Sequence, residues 1–148
     1  MSRFFLLTLA LVTACAGEKG VRAQVVGGTV PGLAVKSSVL LDLTGSESMF
    51  CSSGEVELHI AYRRINTIEY GQNVSRRYAA AVLISPVLLL SKSRKHFITL
   101  GYEDADGKQQ ALVLRVEKGD IRGVLVSLEA RTGRRVEFQD EEARKSIK

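Results

Sequence analysis

Tryptophan is absent from this chain of 148 residues, and proline, histidine and cysteine occur only twice each. Each scarcity removes a class of protein. Cys15 falls in an N-terminal leader and Cys51 in the body, so no disulfide framework is expected and Cys51 stands alone. Neither His59 nor His96 belongs to a Cys-x-x-Cys, His-Glu-x-x-His or comparable ligand spacing, so no metal and no other cofactor is expected. Asp104, Asp106 and Gly107 match the opening of a calcium loop, but the later ligands and the closing glutamate are missing, which leaves a hairpin turn. There is no glycine-rich phosphate loop and no Gly-x-Ser-x-Gly elbow. Ser93 lies two residues from Lys95 without any sign of an oxyanion site, and Cys51 beside Phe50 reads as a small buried apolar residue. An enzyme is not expected. A net charge of +5, with the basic residues scattered among Glu and Asp, gives no nucleic-acid footprint.

What the chain does have begins with a leader. Met1-Ser2-Arg3 and the apolar run 4–12 form the positive and hydrophobic regions of a secretory signal, too short to remain as a membrane span. Three cleavage patterns follow it. Val12-Thr13-Ala14-Cys15 fits a lipobox, whose cysteine becomes acylated and N-terminal; Ala14-Cys15-Ala16 and Val21-Arg22-Ala23 both fit small-x-small processing. The chain is accordingly expected outside the cytoplasm, in the periplasm or cell envelope. The leader is taken as residues 1–23, or as ending at 14 with Cys15 lipidated, and 24–36, with two glycine-containing breaks and no periodicity, as a linker.

From residue 37 onward apolar side chains alternate with polar ones. Strands are expected near 37–43, 48–51, 55–61, 65–70, within 78–90, 96–102 and 109–116, separated by turn signals such as Ser52-Ser53-Gly54 and Asp106-Gly107. Ile121, Val124, Leu125 and Leu128 then recur at helical spacing until Thr132-Gly133, which predicts a helix over 120–132. Residues 134–138 supply a short extended piece, and the rest of 134–148 is a charged tail.

Seven short antiparallel strands and one C-terminal helix, over 37–133, resemble the pleckstrin-homology-like fold, a mainly β sandwich or partly closed barrel capped by a helix. Runs such as 61–72, 91–97, 128–133 and 139–145 also resemble small uncharacterised bacterial exported proteins. The first resemblance implies a binding module. Its inositide-binding members carry basic residues between the first two strands, whereas 44–48 in that position has no cation. The expected function is a non-catalytic envelope binding or scaffold domain with an unidentified protein partner, and the sequence does not fix the oligomeric state. The alternative is a membrane-surface module in which the apolar segment 82–90 inserts beside the cluster Lys92, Arg94 and Lys95.

Overall fold

In the computed structural model, which describes residues 20–72 and 95–147, the alternating segments become eight strands. β1 (Val21–Gly28), β2 (Ser38–Asp42), β3 (Ser48–Ser53) and β4 (Val56–Ala61) form an antiparallel meander. A 3-10 turn at Tyr62–Arg64 leads into β5 (Ile65–Gly71), which pairs with β6 (His96–Glu103) and, through it, with β7 (Gln109–Val116). β7 also pairs with β1, joining the two meanders. Helix α1 (Lys118–Thr132), the two-residue β8 (Glu137–Phe138) and helix α2 (Glu141–Ser146) finish the described chain. Together the strands make one mixed sheet in the order β4-β3-β2-β1-β7-β6-β5-β8, with β8 parallel to β5.

This order forces the sheet to curl. Laid flat, β4 and β5 would be six strand spacings apart, roughly 29 Å. The turn between them has three residues and reaches about 10 Å. The two ends of the sheet are therefore drawn together, and a register shift between Val25 and Gly27 lets β1 bend across the junction. Leu41, Met49 and Ile60 from the first meander meet Ile68, Ile98 and Leu112 from the second in one core. α1 closes this core with Ile121, Val124, Leu125 and Leu128, each fully removed apolar side chain stabilising the fold by about 2 kcal/mol. Gly133, at φ 68°, ends the helix in the left-handed conformation that glycine adopts without strain.

Three expectations change. The segment read as leader end and linker contains a central strand, because Val21, Ala23 and Val25 alternate with Arg22 and Gln24 and pair with both β2 and β7. Among the described residues the sheet has eight strands and is mixed, where seven antiparallel strands were expected; β8 adds the parallel pair. The charged tail is ordered into β8 and α2, and Ala143 is fully buried. With β1 in place, the loop between the first two strands is 29–37, whose single cation is Lys36. The strand expected within 78–90 lies outside the described residues.

Candidate functional site

Curling brings β4 close to the far end of the β6–β7 hairpin without pairing it there. A cleft of about 380 Å³ remains between them. One wall is β4 with Leu58, His59 and Ala61, continued by Arg63 and Arg64 of the 3-10 turn; the other is Tyr102, Glu103 and Asp104 at the end of β6. Val30 and Pro31, just beyond β1, add apolar surface. The cleft exists because β4 is an edge strand, hydrogen-bonded among the described residues to β3 alone.

Its hairpin wall is held by a chain of polar contacts. Asp104 accepts hydrogen bonds from the Gln110 side chain at 2.7 Å, Lys108 N at 2.9 Å and Asp106 N at 3.0 Å. These donors, Gln110 first, hold its carboxyl below the usual aspartate range. Thr29 Oγ1 donates to Gln110 Oε1 and accepts from Ala111 N, which ties the end of β1 to the hairpin. Tyr102, buried beneath, has its phenol pushed up to about 12, chiefly by desolvation and further by the charges of Asp104 and Cys51. Asp104 therefore acts as a turn anchor, with Asp106 beside it in an ordinary hairpin turn.

The opposite wall is less committed. His59 stacks edge-on against Phe50 with ring centroids 4.4 Å apart and lies 3.5 Å from Glu57, on the outer face of β3 and β4. Among the described residues, neither Arg63 nor Arg64 has a carboxylate within ion-pair distance. Two guanidinium groups thus flank the cleft where β4 ends. In the sequence Tyr62-Arg63-Arg64 only interrupts the strands expected at 55–61 and 65–70, and nothing in that local pattern marks the pair as a site.

The residues singled out from sequence lie elsewhere. Cys15, Lys92, Arg94 and segment 82–90 fall outside the described residues. Lys95 is half-buried at the start of β6, at the end of the hairpin away from the cleft. There it shares a shallow depression with His96, Arg115, Glu117 and Lys118, and Arg22 joins Arg115 and Glu117 in a second one beside it; Glu117 lies 3.9 Å from Arg115. His96 Nδ1 is 2.6 Å from Tyr70 Oη, and burial, followed by the charge of Lys118, lowers its pKa. Cys51 is buried in the core and its thiol is pushed up to about 11 by desolvation.

Among the described residues no helix is long and apolar enough to cross a membrane. No family model matches this chain, and no curated protein matches it either.

Proposed function

We propose that the chain is a non-catalytic binding domain of the pleckstrin-homology-like type, exported and held at the cell envelope, with the β4 cleft as its contact surface. The observation that carries this reading is the unpaired edge of β4 lying beside two arginines that no acidic side chain neutralises among the described residues. Support for the fold type comes from two successive meanders followed by a helix that closes the core. Support for binding over chemistry comes from two polar residues of the hairpin wall, since Gln110 and Asp104 are engaged with each other, and Gln110 with Thr29 at the end of β1, in holding the hairpin. A photoreactive side chain at position 61, compared with one at exposed position 130 on α1, tests it in the producing cells. One discrete adduct from position 61, lost when Arg63 and Arg64 are changed to Glu, is expected. Equal adducts from both positions would sink the assignment.

A second reading, a membrane-facing surface, is favoured by one observation. Lys95, the described member of the basic cluster, is grouped with Arg115 and Lys118, with Arg22 adjoining, at the end of the sheet where β1 begins, and Glu117, beside Arg115, is the one carboxylate among the described residues lining these depressions. The leader enters the fold there. Removal of residues up to Ala23 would delete the pairs Val21–Leu41, Arg22–Leu40 and Ala23–Val39, so processing at Cys15 or before Gly17 is the version compatible with an intact β1. Acylation at Cys15 would then tether this basic end to the bilayer. The two readings concern opposite ends of one molecule and do not compete.

A further inference from the structure

We propose that β4 extends the sheet by taking up an extended peptide segment of a partner protein as a further strand, with an acidic side chain of that segment held by Arg63 and Arg64. This rests on the binding-domain reading above and specifies its ligand class.

The hairpin register decides which backbone groups are available. β3 and β4 are joined by the two-residue loop Gly54-Glu55, with Gly54 at φ 59°, so Ser53 and Val56 form the closing hydrogen-bonded pair. In an antiparallel ladder the bonded pairs alternate, which turns the N–H and C=O groups of Val56, Leu58 and Ile60 toward β3. The next member of that series, Tyr62, donates its N–H to Glu47 O at 2.9 Å, as the alternation requires. Glu57, His59 and Ala61 therefore present their backbone donors and acceptors outward, toward the cleft side.

Among the described residues that edge is guarded only by the charge of Glu57. Its register with β3 runs without a shift from Ser48–Ala61 to Ser53–Val56, and Val56–Ala61 contains no proline and no lysine. Natural sheets blunt exposed edges with bulges, proline or lysine because an unpaired ladder recruits another strand. The sheet's other edge, β8, has two residues.

The side chains around the edge define what fits. Leu58 is half-buried beside Val30 and exposed Pro31, an apolar footing for alternate side chains of the incoming strand. Arg63 and Arg64 lie where β4 ends, and guanidinium forks bind carboxylates through paired hydrogen bonds. Glu103 and Asp104 are on the facing wall, so an acidic residue is favoured beside Arg63 and Arg64 at the Ala61 end and disfavoured across from it.

The probe is a capped heptapeptide alternating valine and threonine with a glutamate at each end, titrated into the isotope-labelled intact chain. A lysine-ended version is the charge control. Two further versions carry N-methyl groups on alternate amides, one set in each register, because a methylated amide cannot donate to the edge. Saturation is expected to slow amide exchange at Glu57, His59 and Ala61 by about tenfold or more, equivalent to about 1.4 kcal/mol of protection. The lysine-ended peptide and the Arg63→Glu, Arg64→Glu chain should each lower affinity at least about tenfold, and one N-methylated register should abolish binding while the other keeps it. Arg63 is exposed and Arg64 half-buried, and the N-methyl arm needs no altered protein. Binding that tolerates both N-methylated registers, or that leaves the three amides unprotected, overturns strand addition. Absence of binding by any of the peptides overturns it too. In either case a persistent adduct from position 61 would keep the cleft as a contact surface, and its absence would remove both readings.

Discussion

Cys51 illustrates how far one side chain's surroundings determine its chemistry. It sits between Leu41 and Leu58 in the register of β2, β3 and β4, fully buried. With desolvation raising its thiol to about 11, almost none is thiolate at neutral pH, and the thiolate is the reactive form. In a Cys15→Ser chain, where Cys51 is the sole thiol, an aromatic disulfide reagent at pH 8 is expected to react no faster than the protein unfolds. Burst labelling of the native protein would contradict this burial. Cys51→Ser leaves a hydroxyl in apolar surroundings and should cost about 1–3 kcal/mol in a urea titration, more than Cys51→Ala. The burial was legible in the sequence from the short apolar strand around the residue. Arg63 and Arg64 were not legible as a site, because their meaning depends on β4 being an edge, and strand order is a property of pairing between distant segments.

Among the elements, the C-terminal pair β8 and α2 is the most weakly specified by local pattern and the most dependent on a few contacts. Phe138 packs edge-on against Tyr70, Gln139 Nε2 donates to Glu69 Oε1 at 3.0 Å, and Ser146 Oγ lies 2.8 Å from the Tyr70 hydroxyl that also meets His96. Asp140 caps α2 by accepting from Ala143 N at 2.7 Å. His96 makes this docking pH-sensitive. Its folded pKa is lowered, first by burial and then by Lys118, with Glu117 opposing, so below the ordinary histidine range near 6.5 the unfolded state binds more protons than the folded one. Stability is therefore present above that range and falls as pH drops through it. The protection of the Ala143 and Ser146 amides, taken relative to the unstructured exchange rate at each pH, should fall between pH 7.5 and 5.5, and His96→Gln should flatten that dependence; an unchanged slope in that variant would place the titrating group elsewhere. Strands with clean alternation, such as β2 within 37–43, and the helix with its i, i+3, i+4 stripe were readable because their period is set by one buried face. β1 was missed because Val21-Arg22-Ala23 also satisfies a processing rule and Gly27-Gly28 resembles a linker, although the same alternation was present. β8 is specified by Tyr70 and Gln139, contacts that no local window contains.

At the scale of the whole molecule, two surfaces lie at opposite ends of one hairpin. β6 runs from His96, beside Lys95 and Lys118, to Glu103 in the wall of the cleft, a span of roughly 23 Å over its eight residues. From Cys15 to Val21 an extended chain reaches at most about 20 Å, so an acyl group on Cys15 would keep the start of β1, and with it Arg22, Arg115 and Lys118, close to the bilayer. Electrostatic attraction to an anionic surface decays over about 8 Å at physiological salt, which confines it to that end. Lysine acylation measures the orientation with an internal reference. When the lipidated chain is reconstituted in vesicles containing anionic lipid, labelling of Lys118 should fall several-fold relative to neutral vesicles, while Lys108, in the β6–β7 turn at the cleft end, should label at an unchanged rate. The difference should shrink in high salt, since each exposed cation contributes on the order of 1 kcal/mol through screened attraction. Protection of Lys108 instead would turn the molecule over and put the cleft against the membrane, where no extended partner segment could reach β4. Equal labelling at both lysines would leave the domain free to tumble on its tether, and the basic end would then have no part in setting its orientation.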